Sequence, residues 1–128
     1  ISEDAIGDAV ARESELIRQR NIRYRDNRTP PRVEGKTVIV VDDGLATGAT
    51  MKAAIAALRQ AGAGRVVAAT PVGASSTRDE LLALADEVVC LATPHPFYGV
   101  GQWYADFSQI SDTLVEDLLN KCRSRRTG

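Results

Sequence analysis

At 128 residues the chain is long enough for one hydrophobic core and too short for two. Its 16 basic and 17 acidic residues leave a net charge of −1, which excludes a surface-wide positive field for gathering nucleic acid. Hydrophobic residues at 44% and charged residues at 26% fit a globular domain, and no apolar run approaches the roughly 20 residues of a membrane span.

The opening Ile1-Ser2-Glu3-Asp4 is polar and acidic, unlike a signal peptide. Cys90 and Cys122 have no CxxC spacing and no His cluster beside them, so a reduced thiol, and with it a cytoplasmic location, is the default expectation. Ser2 can cap a helix whose first turn carries Glu3 and Asp4, where the dipole favours acids. Ile6, Ala9, Val10, Leu16 and Ile17 continue it at helical spacing to about Arg20 or Tyr24. The basic run Arg18, Arg20, Arg23, Arg25 and Arg28 follows, then Asn27-Arg28-Thr29-Pro30-Pro31, which ends any helix. Lys36-Thr37-Val38-Ile39-Val40-Val41 is a continuous β-branched run, predicted as a fully buried strand of a parallel sheet. A helix capped by Thr47 or Thr50 runs through Ile55 and Leu58 to Gly62. A second buried strand spans 65–70. Ser76 with Asp79 fits a capping box for a helix carrying Leu81, Leu82 and Leu84. A third strand covers 87–91, with Cys90 expected as a buried, reduced thiol. After a Pro/aromatic loop over 93–107, Ser111 caps a last helix with Leu114, Val115, Leu118 and Leu119, and 121–128 reads as a frayed basic tail. Strands alternating with helices at this spacing imply βαβ units and right-handed crossovers.

The chemistry concentrates at the end of the first strand. Ligands of open parallel sheets bind beyond the carboxyl ends of the strands. There the chain places Asp42 and Asp43, then a Gly/Thr loop leading into a helix. Gly44 and Gly48 let the backbone approach a ligand, while the free amides and dipole of the following helix attract an anion. Thr47 and Thr50 add hydroxyl donors. The two carboxylates suit the vicinal hydroxyls of a ribose, or Mg²⁺ held through water. A ligand with a phosphate at one end and a cis-diol at the other satisfies the segment. Two other phosphate motifs fail. Gly35-Lys36-Thr37 lacks the earlier glycine of a Walker A loop and precedes a strand, and no Gly-x-Gly-x-x-Gly is present.

The run Val38-Ile39-Val40-Val41-Asp42-Asp43-Gly44-Leu45-Ala46-Thr47-Gly48-Ala49-Thr50 resembles the phosphoribosyl-pyrophosphate signature of type I phosphoribosyltransferases and fits each of its fixed positions. The resemblance implies an α/β fold with a parallel sheet and helices on both faces, here a partial core. It implies that Asp42 and Asp43 hold the ribose hydroxyls and that Ala46, Thr47, Gly48, Ala49 and Thr50 wrap the 5′-phosphate. The implied activity displaces pyrophosphate from ribose C1 of phosphoribosyl pyrophosphate by a nucleobase-like acceptor, with Mg²⁺ as cofactor. Family members that use hypoxanthine or guanine carry an Asp where this chain has Ala46, which counts against a 6-oxopurine acceptor.

The distal segment Pro94-His95-Pro96-Phe97-Tyr98-Gly99-Val100-Gly101-Gln102-Trp103-Tyr104-Ala105-Asp106-Phe107 is similar throughout to that of a bacterial subgroup of the family for which no acceptor is implied. By the same resemblance Phe97, Val100 and Trp103 are candidates for an acceptor pocket, and Asp106 joins Asp42 and Asp43 as a candidate metal contact. His95 is read as structural or exposed rather than catalytic, and the basic run as a solvated face that could also meet pyrophosphate. The resemblance covers 34 to about 119. A complete domain has a strand–helix–strand unit with a pyrophosphate loop in front, so this chain is expected to be a piece of a longer one. The expected divisions are an amino-terminal helix and linker over 1–33, the core over 34–120 and the tail over 121–128. A homodimer is left open, and no membrane or nucleic-acid partner is expected. Besides the transferase, a non-catalytic regulator that binds phosphoribosyl pyrophosphate or a nucleotide needs the same contacts.

Overall fold

The structure is a computed structural model and describes residues 2–26 and 28–126. Its elements in chain order are α1 (Glu3–Arg25), β1 (Thr37–Val41), α2 (Ala49–Gln60), β2 (Arg65–Val72), α3 (Ser75–Leu82), β3 (Glu87–Ala92), a 3₁₀ turn (Gly101–Trp103) and α4 (Asp112–Arg126). The chain divides into two compact units. One comprises residues 32–107, the other residues 1–31 with 108–128. The last helix therefore groups with the first, whereas sequence placed residues up to 120 with the core.

Residues 32–107 form an α/β unit with a three-stranded parallel sheet in the order β1-β2-β3. Thr37 pairs with Arg65 at one end of the first ladder and Val41 with Ala69 at the other; Val67 pairs with Glu87 in the second. The α/β class and the parallel sheet match expectation. Alanines at 53, 54, 56 and 57 favour helix in α2, and Met51 and Ile55, one turn apart, turn the same face inward. Its end is a Schellman motif: Ala63 N donates to Leu58 O at 3.0 Å and Gly62 N to Arg59 O at 3.0 Å, with Gly62 at φ +83°. Asp86 ties the start of β2, accepting from Val66 N at 2.7 Å and from Arg59 at 2.8 Å. These bonds to Val66, and then to Arg59, hold its carboxyl below the usual aspartate range.

The core lies between one face of the sheet and the two helices. It contains Val66 and Ala68 of β2, Met51 and Ile55 of α2, Leu81 of α3, Ala85 from the turn after α3, and Leu45 from the loop after β1. Burying each larger side chain contributes about 1.5–3 kcal/mol. The opposite face differs from expectation. Ile39 and Val41 of β1 are 62% and 73% exposed and Leu91 of β3 is 80% exposed, so neither strand is buried on both faces. β1 is an edge strand, and α2 and α3 cover only the face that carries Val66 and Ala68. The layer expected on the other face is not drawn from residues 32–107.

Three local expectations also change. Gly48, not a threonine, caps α2. The Ser76–Asp79 capping box does not form, because α3 starts earlier, with Ala74 as its cap, and Asp79 pairs with Arg78 at 3.0 Å. Cys90 is only half-buried; its thiol donates to Ala92 O at 3.3 Å.

In the other unit, Ser2 accepts from Ala5 N at 3.3 Å and Ser111 from Leu114 N at 3.2 Å, so both expected caps form. Neither α1 nor α4 contains a buried residue. α4 is helical through Arg126, across the segment read as a frayed tail. Its basic last turn complements the helix dipole, and the Arg123 guanidinium donates to Tyr24 O. No described helix is long and apolar enough to cross a membrane.

Candidate functional site

The segment after β1 leaves the sheet, returns to it once and leaves again. Asp42 N still donates to Ala69 O at 3.2 Å, extending the ladder. Further on, Leu45 re-enters: its N donates to Val72 O at 3.0 Å, Ala74 N donates to its carbonyl at 2.9 Å, and it bridges Gly73 in parallel register. Its side chain is among the most deeply buried in the core. The chain then turns outward through Ala46, Thr47 and Gly48 into α2. Gly48 has φ +76°, a left-handed conformation that disfavours any side chain.

The result is a concavity of about 150 Å³ lined by Asp42, residues 44–51 and Val100. The loop carbonyls of Asp43, Leu45 and Ala46 are taken up by Tyr104 Oη, Ala74 N and Thr77 Oγ1 respectively. The amides of Ala46, Thr47 and Gly48 have no partner among the described residues, and α2 begins directly behind them. Unpaired amides at a helix start form a site for an anion. Thr47 and Thr50 are both exposed beside it.

Asp42 is half-buried and Asp43 exposed. One oxygen of Asp42 accepts from Asp43 N at 2.8 Å. Desolvation raises the Asp43 carboxyl above its ordinary 3.8, helped by the neighbouring Asp42 charge and opposed by the amides of Gly44 and of Asp43 itself. An acid pair of this kind can accept two or more hydroxyl hydrogen bonds.

The distal segment meets this loop through two residues. The Val100 methyls lie so close to Gly44 that a Cβ there would stand 2.5 Å away. Tyr104 donates to Asp43 O and packs against Phe107 with ring centroids 5.2 Å apart. Of the three proposed acceptor contacts, only Val100 lines the concavity. Phe97 is half-buried elsewhere, and Trp103, in the 3₁₀ turn, is 42% exposed. Among the described residues no group of three or more carboxylate, His or Cys side chains converges, so Asp106 does not complete a metal cluster with Asp42 and Asp43. The basic run is largely engaged within its own unit: Arg18 pairs with Glu15 at 2.7 Å, Arg23 with Glu116, and Arg20 with Asp112 at 3.8 Å. A second cavity, lined by Arg23, Tyr24, Asp26, Glu116, Asn120 and Arg123, lies within the helical unit, where Arg23 pairs with Glu116 and Arg123 donates to Tyr24 O.

Sequence reasoning missed Thr77 and Tyr104 as supports of the loop. Tyr104 lay within a segment already singled out. Thr77 stands 31 residues from its partner, with no pattern to betray the contact.

Comparisons with known proteins bear on the same residues. The family model described as "Phosphoribosyl transferase domain" matches residues 5–104. That match begins well before residue 34, where sequence analysis first found resemblance. Two proteins from strains CDC 1551 and H37Rv of Mycobacterium tuberculosis, provisionally named phosphoribosyl transferases, are each 44% identical over 115 residues. The match covers 89% of this chain but 26% of theirs, so the chain spans about a quarter of their length. The crystal structure of TT1426 from Thermus thermophilus superposes with a TM-score of 0.77 at 39% identity, over 94% of this chain and 58% of that one.

Proposed function

The chain belongs to the phosphoribosyl transferase domain family, and on that premise we propose that residues 42–50 bind the ribose 5-phosphate portion of phosphoribosyl pyrophosphate. The observation that carries this reading is the loop's polarity: its carbonyls face protein donors while the amides of Ala46, Thr47 and Gly48 remain free beside two carboxylates. The amides and the Thr47 and Thr50 hydroxyls take the 5′-phosphate. Asp42 and Asp43 accept from the ribose 2′ and 3′ hydroxyls, which fixes the sugar and turns C1 away from the loop.

The reaction we assign to the whole protein is transfer. An acceptor nucleophile, nucleobase-like in class, forms a bond to C1 as the bond from C1 to pyrophosphate breaks, and pyrophosphate leaves with the electron pair. Ala46 argues against a 6-oxopurine acceptor, and Val100 would form one wall of the acceptor's approach. The donor set also fits Mg²⁺, an oxygen-seeking ion that keeps most of its waters and needs only one or two carboxylates besides substrate phosphates. Asp42 and Asp43 would hold it; when bound, it neutralises charge on the departing pyrophosphate.

Calorimetric titration tests the reading, with phosphoribosyl pyrophosphate and Mg²⁺ against ribose 5-phosphate and inorganic phosphate. We expect binding that strengthens when ribose is present and is lost in the double variant Asp42→Asn with Asp43→Asn. Undiminished binding in that variant, with a cooperative melting transition retained, would sink the assignment.

A further inference from the structure

We propose that Thr77, in the first turn of α3, is a positioning residue that aims the Thr47 N–H into the phosphate pocket. The inference rests on the phosphate-loop reading above and adds a residue that neither the signature nor the family comparison assigns.

Thr77 is 5% exposed and uses both branches of its side chain on the loop. Its hydroxyl donates to Ala46 O at 2.6 Å. Its Cγ2 fills the space beside Gly48, where a Cβ would stand only 2.6 Å from it. A trans peptide points its C=O and N–H in opposite directions. Anchoring Ala46 O on the inner side therefore turns the N–H of Thr47, which shares that peptide plane, toward the outer side, where the concavity lies. The neighbouring plane is set in the same way, since Leu45 O accepts from Ala74 N at 2.9 Å. Ala74 and Thr77 thus hold consecutive peptide planes from one helix start, and Lys52 of α2 is ion-paired with Glu80 of the same helix. Without the hydroxyl, Ala46 O loses its protein donor. The plane can then rotate to seek another, and the loop must be ordered when ligand arrives rather than before.

The test is ligand affinity in the 128-residue chain, Thr77→Val and Thr77→Ser, measured with ribose 5-phosphate and inorganic phosphate, together with amide NMR spectra of the parent. Valine keeps the methyl against Gly48 and removes the donor; serine does the reverse. We expect Thr77→Val to weaken both ligands by about tenfold, the scale of one preset hydrogen bond, and to leave the preference for ribose 5-phosphate over phosphate unchanged. Thr77→Ser should stay within about threefold of the parent. In the parent, the Thr47 amide should be among the resonances that phosphate moves most. Parent-like affinity in Thr77→Val overturns the proposal, as does a parent that binds phosphate with its Thr47 amide unmoved. The latter measurement decides alone if Thr77→Val does not fold. A parent that binds neither ligand overturns the phosphate-loop reading, and this inference with it.

Discussion

The two units are held together by opposite means. Residues 32–107 gather buried aliphatic side chains from every layer, with Leu45, Met51, Val66 and Leu81 almost wholly removed from water. The helical unit buries no residue of α1 or α4 and relies on side-chain polar contacts: Arg23 with Glu116 and Asp112, Tyr24 with Asp112, and Arg123 with the Tyr24 carbonyl. The first mode is insensitive to salt and intolerant of lost volume. The second is the reverse, since exposed ion pairs contribute little and are screened. The candidate site is built wholly on the first kind of scaffold.

The sharpest break of this contrast would come from Leu81. Truncating Leu81→Ala should cost about 2–5 kcal/mol, read as a fall in the denaturation midpoint, because the side chain is fully buried at the helix–sheet contact. Asp43 should give a smaller effect of mixed sign. Its carboxyl titrates above the ordinary 3.8, so the protonated form is the one the fold favours. The associated stability is fully present below the ordinary value and is lost as pH rises through the raised one. Asp43→Asn should therefore melt higher than the parent at neutral pH, with the difference vanishing in acid below about pH 4, and should bind ribose 5-phosphate about tenfold more weakly. A lower melting temperature at neutral pH would contradict the desolvation argument. The least effect is expected from Arg23→Ala. It should lower the thermal midpoint of the helical signal slightly in dilute buffer and not at all near 1 M salt, where the Debye length is about 3 Å. A loss that persists in high salt would mean that the helical unit is held by packing after all.

Much of the site unit was legible because its signals are local. The β-branched run of β1, the acid pair, the glycines and the alanine-rich start of α2 follow one another in sequence, and the fold keeps them in that order around one concavity. What sequence could not show depends on partners far along the chain. The exposure of Ile39 and Val41 is invisible in a pattern that records hydrophobicity but not what covers it. The contacts of Thr77 with Ala46 and Tyr104 with Asp43 span 31 and 61 residues and leave no periodic trace. The helical extension to Arg126 was masked by charge: a basic run reads as a frayed end until Tyr24 O supplies an acceptor for Arg123.

Leu45 belongs to the core and to the site at once. Its side chain is 1% exposed among core residues while its neighbours on both sides line the concavity. A loop anchored in this way cannot swing open on its own, because opening it means emptying part of the core. On the proposed reading, a ligand would then enter a preformed groove with no gating step. The same anchor ties occupancy to the fold: anything that binds these amides adds to the unfolding free energy of the whole unit, so a thermal-shift screen reads the site directly without knowledge of the reaction.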